Sequence, residues 1–295
     1  AVTSVVFVAL NVGTLGQYYE FESEVVNYLC FGIDCLVGVT VLCYAAKYRN
    51  IISALLAIVM LALCVVFEFF VLPGTTCARG LYFDSLSLIM ILIIGIIGSG
   101  IIVYALGYMK DHYDHNPSQP DRSHSFFALM FVFLGAMYAI VFCNNLVWLL
   151  TAWEVTTLCS FLLIGFTKTQ ESIVNSFRQI IMNMIGGIAF QVALFYLVFN
   201  FQLLDFAQFI VYGAYAPALF VFPLTCLTLA GMTKAAQMPF HTWLLGAMVA
   251  PTPTSALLHS STMVKAGVFL LLKCAPIYAV SFAPSLLIIL VGGVT

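Results

Sequence analysis

The run G-M-T-K-A-A-Q-M-P-F-H-T-W at 231–243, followed at 250–267 by A-P-T-P-T-S-A-L-L-H-S-S-T-M-V-K-A-G, decides how the chain is read. It carries Lys234, His241, His259 and Lys265 together with Pro239, Pro251 and Pro253, inside a sequence that is otherwise overwhelmingly apolar. A lysine near the middle of a membrane helix costs roughly 2.5–3.5 kcal/mol on insertion scales, so such residues face a polar interior and mark ion or proton paths. Pro239 removes a backbone donor and clashes with the carbonyl of Ala235, which predicts a helix break just after Lys234. Broken helices are tolerated in membranes where their freed backbone groups line a wet cavity. Pro251 and Pro253 set the turn into the next helix, where His259 and Lys265 are six residues apart. On one regular helix that spacing is about 600° of rotation, so the two point in different directions. The surrounding Ser255 and Thr262 suit a hydroxyl-lined channel, and His241 is of a type suited to relaying protons.

Working outward, 63% of the residues are hydrophobic and 7% charged, with a mean hydropathy of +1.10, whereas soluble domains are about a quarter charged. The chain is therefore an integral membrane protein with no tract long and polar enough for a soluble catalytic domain. No basic patch for nucleic acid is present. Nine cysteines fall mostly inside apolar runs, without a C-x-x-C pair, and read as small buried hydrophobes rather than metal ligands or disulfides.

Ten apolar segments can be laid out, at about 1–15, 25–46, 51–72, 86–108, 126–143, 146–166, 179–199, 218–236, 255–272 and 277–295. None alternates with period two, so the fold class is all-α, a polytopic transmembrane helical bundle. The first segment reads as a spanning helix shortened at its start, and the last, ending at Gly292-Gly293-Val294-Thr295, as one cut short. Lys47, Arg49, Lys110, Arg122, Lys168 and Arg178 fall in loops on one side. Arg79, Lys273 and the acidic Glu20, Glu22 and Glu24 fall on the other. The positive-inside rule makes the first side cytoplasmic. The polar stretch after Lys110, with Asp111, His112, Asp114 and His115, reads as a solvated loop or subunit contact rather than a metal site. G-I-I-G-S-G at 95–100 reads as close helix packing rather than a phosphate loop.

Five ionisable residues lie within the apolar segments: Asp34, Glu68, Glu154, Lys234 and Lys265. Glu68 lies near a helix end and reads as structural; Asp34 is deeper and its role is open. Glu154 is flanked by Thr151, Thr156, Thr157 and Ser160, which give it polar neighbours. Its expected partner is a cation on another helix, with Lys234 the foremost choice. Paired, both stay charged; separated, the lysine loses the charge that holds its proton, which makes a usable switch.

The pieces F-D-S-L-S (83–87), Y-M-K (108–110), N-N-L-V-W-L-L-T-A-W-E-V-T-T-L-C-S-F-L-L-I-G-F (144–166), T-K-A-A-Q-M-P-F-H-T-W-L (233–244) and the run at 250–267 resemble the antiporter-like membrane subunits. That family includes the distal proton-pumping subunit of respiratory complex I, its equivalents in energy-converting nickel–iron hydrogenases and formate hydrogenlyases, and the large subunits of Mrp sodium/proton antiporters. The resemblance implies two inverted five-helix repeats, each with a broken helix, of which only the first is present here. It divides the chain into N-terminal helices (1–85), an antiporter-like repeat (86–272) and the start of a second repeat (273–295).

Carried over by motif, Glu154 is the carboxylate paired with the pumping Lys234, His259 and Lys265 belong to a central hydrophilic axis, His241 fits that path, and Arg178 is retained where relatives have a lysine or arginine. The sequence departs at Met184-Ile185-Gly186-Gly187, where complex I relatives carry R-x-G-D, and at Val249, where many have an acidic residue. These departures count against a complex I subunit proper, and the lysine in S-T-M-V-K-A-G with the long histidine-bearing loop after Y-M-K favours the energy-converting hydrogenase branch. The implied function is a proton- or sodium-translocating subunit of a redox-driven pump in a prokaryotic cell membrane rather than the mitochondrial inner membrane. Its partners are other membrane subunits and a soluble hydrogenase-like or NADH dehydrogenase-like arm. It holds no cofactor of its own; iron–sulfur clusters and a nickel–iron site are expected in partner subunits. The alternative is an Mrp-type sodium/proton antiporter subunit without a redox partner. A structural anchor that has lost transport fits worst, because it has no need of Glu154, Lys234 and Lys265 inside the bilayer.

Overall fold

Each apolar run folds as a helix because, away from water, its backbone groups must bond within the segment. Polar residues set where the runs begin. Asn50, Asp84, Asn145, Thr169 and Asp205 each accept a hydrogen bond from a backbone N–H two or three residues on, capping the helices that follow. The computed structural model describes residues 1–11, 13, 16–115 and 121–295.

Eight helices among them are long and apolar enough to cross a membrane. These are α2 (Glu24–Lys47), α3 (Ile51–Val71), α4 (Ser85–His115), α5 (Ser123–Phe142), α6 (Leu146–Ile164), α7 (Gln170–Phe201), α9 (Pro217–Lys234) and α11 (Thr252–Lys273). Shorter helices are α1 (Val2–Asn11), α8 (Phe206–Tyr215), α10 (Thr242–Gly246) and α12 (Phe282–Val294). All ten expected segments are helical, the first and last as the short α1 and α12. The chain is a polytopic helical bundle. Two features depart from expectation. The stretch Asp111–His115 continues α4 as helix rather than loop, with the remainder of the polar stretch, 116–120, outside the described residues. A two-stranded antiparallel ribbon joins Gln17–Tyr19 to Leu81–Phe83, a small cap that the helical periodicity does not announce.

α6 is the central helix, buried along most of its length. α5, α7 and α2 pack around it, and α7 carries α9 and α3 in turn. The helices before residue 85 therefore join the bundle: Val37 and Val41 of α2 and Ala57 and Met60 of α3 share one core with Leu158, Phe161, Phe177 and Met184. Of the glycines at 95–100, Gly95 and Gly98 serve close packing, while a Cβ on Gly100 would meet nothing within 4 Å. A Cβ on Gly95 would meet Ser4 and Tyr138, and one on Gly98 would lie 2.9 Å from Leu134 Cδ2.

The charges divide as the loop count predicts. Lys47, Arg49 and Arg178 line one cleft and Arg122 and Lys168 the next, at the end where α3 and α7 begin. Elsewhere Lys273 bonds Asp84 at 2.6 Å and lies over the Tyr82 ring, while Arg79 lies over Tyr18 of the ribbon.

Candidate functional site

α9 ends at Lys234, and helix resumes only at Thr242. The break is where Pro239 places it. Ala236 takes a positive φ of 52°, and the Thr233 carbonyl at the helix end accepts from the Trp243 indole at 2.9 Å and, more weakly, from Ala236 N at 3.3 Å. Lys234 thus sits in the last turn of a broken helix, where the negative end of the helix dipole favours a cation.

The Lys234 side chain is fully buried at 0% exposure. Its Nζ donates to the Trp153 carbonyl oxygen at 2.7 Å and to Thr157 Oγ1 at 2.7 Å, and lies 4.8 Å from the centre of the Trp153 ring. Trp153 and Thr157 are four apart and stack on one face of α6.

Glu154, 3% exposed, is the next residue round the helix, and neither of its carboxylate oxygens has a hydrogen-bond partner. The direct Glu154–Lys234 bond expected from the sequence is thus not the arrangement found; the two groups share one buried site with the amine turned to its α6 neighbours. One residue step is about 100° of rotation, so α9 delivers the amine to the Trp153–Thr157 face while Glu154 is directed at α7. The flanking hydroxyls do not serve Glu154 either. Thr156 and Thr157 both donate to the Trp153 carbonyl, at 2.7 and 3.1 Å, and Thr151 donates to Asp34 Oδ2 at 2.8 Å.

Gly186 and Gly187 explain how three helices meet there. A Cβ on Gly187 would fall on Glu154 Oε1, and one on Gly186 would fall on Thr233 Oγ1. The missing side chain at Gly187 leaves the space that the Glu154 carboxylate occupies. Asp34, open in the sequence, turns inward from α2 to Thr151, one turn from Glu154, with its Oδ1 unpartnered.

The structure also brings in residues that the sequence reading passed over. Asn175, Gln179 and Asn183 are buried on α7 at four-residue spacing, in line with Gly187. Gln179 Nε2 donates to the Thr157 carbonyl at 3.4 Å, and Asn183 Nδ2 to the Gln179 carbonyl at 3.0 Å, while both side-chain carbonyl oxygens are unpartnered. Four residues of helix rise about 6 Å, so the file covers about 18 Å from Asn175 to Gly187. The i, i+4 recurrence of amides was its signal, hidden within an apolar segment.

His259 and Lys265 both lie on α11, but that helix is not regular between them. Leu257–Ser261 form a π-helical turn, and Thr262 breaks from helical geometry at φ −137°, ψ −78°. The rotation counted from a uniform helix therefore does not hold, and such turns concentrate at functional sites. His259 Nε2 and His241 Nδ1 are buried without a partner, and both side chains, like Lys265, are partly exposed overall. α11 meets the last turns of α9 closely: a Cβ on Gly231 would lie 2.7 Å from Leu271 Cδ2 and 3.2 Å from the Gly267 carbonyl oxygen. Ser160 Oγ and Met263 Sδ, 2.9 Å apart, tie α11 to α6. Arg178 is not part of this cluster; it is exposed and lines the cleft at the start of α7. Glu68 lies in a π-helical turn at the end of α3 and is partly exposed.

The chain is 36% identical over 219 residues to the Na(+)/H(+) antiporter subunit A1 of Staphylococcus haemolyticus, a match covering 73% of this chain and 26% of that protein. It is 35% identical over 218 residues to subunit A1 of Staphylococcus aureus strain N315, with the same coverage. The chain spans about a quarter of the length of these curated relatives. Among solved structures, the Mrp complex from Dietzia sp. DQ12-45-1b superposes with a TM-score of 0.59 at 25% identity, covering 85% of this chain and 28% of the other. The membrane-bound sulfane sulfur reductase, an archaeal respiratory membrane complex, superposes with a TM-score of 0.60 at 18% identity, covering 90% and 56%, a likeness of fold. With bacterial relatives and eight candidate spans, this is a multi-pass protein of a prokaryotic cell membrane. A family model for NADH-Ubiquinone oxidoreductase (complex I), chain 5 N-terminus, matches residues 70–118. A second, described as NADH:quinone oxidoreductase/Mrp antiporter, TM, matches residues 143–295, which hold Glu154, Lys234 and the broken helix. By that match over more than half its length, the chain belongs to the NADH:quinone oxidoreductase/Mrp antiporter transmembrane family.

Proposed function

We propose that this chain forms part of the ion-translocating core of a multi-subunit Mrp-type sodium/proton antiporter, with Lys234 as the group that gains and loses a proton. The observation that carries this reading is the fully buried Lys234 amine beside a carboxylate, Glu154, whose oxygens have no partner. A static ion pair would close that gap. An open one leaves the amine two alternative partners, the Trp153–Thr157 face and Glu154, and moving between them changes how firmly it holds its proton. The break after Lys234 gives the end of α9 room for that movement.

The Asn175–Gln179–Asn183 file supplies the entry from the basic, cytoplasmic end, because its unpartnered oxygens suit bridging waters. His259 and Lys265 continue the path on α11. The inverted-repeat relationship and the assembly with other membrane subunits belong to this same proposal. The relatives named as antiporter subunits favour it over a redox-driven pump. In the redox-driven reading, iron–sulfur and nickel–iron centres would reside in partner subunits and a soluble arm, and the sulfane sulfur reductase bears on that reading through its fold alone.

The test is Lys234→Ala and Glu154→Gln in the complete complex within sealed vesicles, following sodium-dependent collapse of an imposed pH gradient. Loss of exchange in both variants supports the reading. Unchanged exchange in both would leave these charges structural. Exchange that runs only when a reductant is supplied would favour the redox-driven pump.

A further inference from the structure

Where α2 ends and α3 and α7 begin, a cleft of about 630 Å³ opens at the cytoplasmic end of the bundle. It is lined by Lys47, Arg49 and Arg178, with Val174, Phe177 and Ile181 on either side of Arg178 along α7. Among the described residues none of the three cations is in an ion pair; Lys47 has only the Tyr48 ring, 5.6 Å away. Glu171, the carboxylate nearest in sequence, is exposed and does not line the cleft. Asn50 and Gln170 also line it, at the N-termini of α3 and α7, so two helix dipoles add positive potential to that of the three side chains. The neighbouring cleft, about 470 Å³, shares Tyr48 and Phe177 and brings Arg122 and Lys168 to the same end.

A small soluble anion would need only the cations. The cleft is also lined by apolar side chains of α7, Ile173, Val174, Phe177, Ile181 and Met182, of which Val174 is 49% exposed. Lys47, Arg49 and Arg178 stand at the ends of the apolar segments 25–46, 51–72 and 179–199, the level of the headgroups. Cations at that level beside apolar side chains match a lipid that is anionic at one end and aliphatic at the other.

We propose that this cleft binds an anionic glycerophospholipid, its phosphate among Lys47, Arg49 and Arg178 and an acyl chain along α7. The site braces the same helix that carries Asn175, Gln179 and Asn183 on its buried side. It does not depend on which ion the chain moves.

The assembled complex, delipidated in neutral detergent, is titrated with dioleoylphosphatidylglycerol, dioleoylphosphatidylcholine or inorganic phosphate, and retained lipid is read by native mass spectrometry. The expected result is tighter retention of phosphatidylglycerol than of phosphatidylcholine. Lys47→Gln with Arg178→Gln should weaken phosphatidylglycerol roughly 30-fold, at about 1 kcal/mol per cation and 1.4 kcal/mol per factor of ten, and leave phosphatidylcholine unchanged. Val174→Trp keeps every charge but fills the groove, and should also lose phosphatidylglycerol; it serves as well if the double variant fails to assemble. Equal phosphatidylglycerol retention by the unaltered complex and both variants overturns the proposal. So does displacement of the lipid by inorganic phosphate, which marks a soluble-anion site, or a cleft that takes up neither lipid because another subunit fills it.

Discussion

Lys234 Nζ and Thr157 Oγ1 are 2.7 Å apart across the α6–α9 contact, and the Thr157 hydroxyl passes its own hydrogen to the Trp153 carbonyl, which the same ammonium also reaches. The three groups close a small ring that holds the amine away from Glu154. Thr157→Val keeps the shape but takes away one acceptor of a buried ammonium, a hydrogen bond of the charged class worth about 1.5–3 kcal/mol. That loss shifts the amine towards Glu154 and should slow exchange roughly tenfold to a hundredfold, with Thr157→Ser restoring most of it. Flux of sodium or protons in vesicles containing the complete complex measures both.

Gly187 gives a second, separable handle on the same carboxylate. A methyl group there occupies the position of Glu154 Oε1, so Gly187→Ala should cost about 1–3 kcal/mol, the usual range for overpacking. The cost should largely vanish in a Glu154→Ala background, since the obstructed group is then gone. A double-mutant cycle on thermal unfolding of the complex in detergent detects that coupling. Additive losses would mean that Gly187 is needed for some other contact.

The legible part of this site was whatever depends on a residue type with few options. Proline announced the break after Lys234, and a lysine, a glutamate and an aspartate stood out against apolar runs. Loop cations sorted the two ends, and paired glycines at 95–98 read as packing. What stayed hidden depends on groups or geometries without a side-chain signature. The Trp153 carbonyl that accepts from Lys234 is main chain, common to every residue. The π-helical turn at Leu257–Ser261 contains neither Gly nor Pro, so nothing in L-L-H-S-S separates it from an ordinary helix. Gly186-Gly187 showed as a loss of charge, while its use as space for Thr233 and Glu154 needed the facing helices to be in place.

At the opposite end from the basic clefts, Asp84 caps α4 through Ser87 N at 2.8 Å and accepts from Lys273 Nζ at 2.6 Å, joining the starts and ends of helices far apart in sequence. Burial disfavours the charged carboxyl, but the Lys273 ammonium and the Ser87 donors outweigh it and hold Asp84 below its usual range. A carboxyl so depressed in the fold contributes stability that is complete above its unfolded value, near pH 4, and is lost as pH falls through the lower folded value. Asp84→Asn keeps the cap and drops the charge. It should cost about 1.5–3 kcal/mol at neutral pH, and the gap between its melting temperature and that of the unaltered protein should close on acidification below about pH 4. A gap independent of pH would assign the effect to something other than this pair.

Asn183 stands one helical turn before Gly187 and is fully buried with its Oδ1 unpartnered. Its amide is engaged only with the Gln179 carbonyl of its own helix, so replacing it breaks no hydrogen bond between helices. If the α7 file admits water to Lys234, Asn183→Leu places an apolar plug at its inner end and removes one bridged hydrogen bond worth about 1 kcal/mol or somewhat more. With about 1.4 kcal/mol of barrier per factor of ten, exchange should fall roughly tenfold while assembly and melting temperature are kept. Asn183→Ser, smaller and still polar, should retain most of the flux. The two substitutions differ in polarity along the same line of side chains, so equal flux in both would mean that the ion reaches Lys234 by another route.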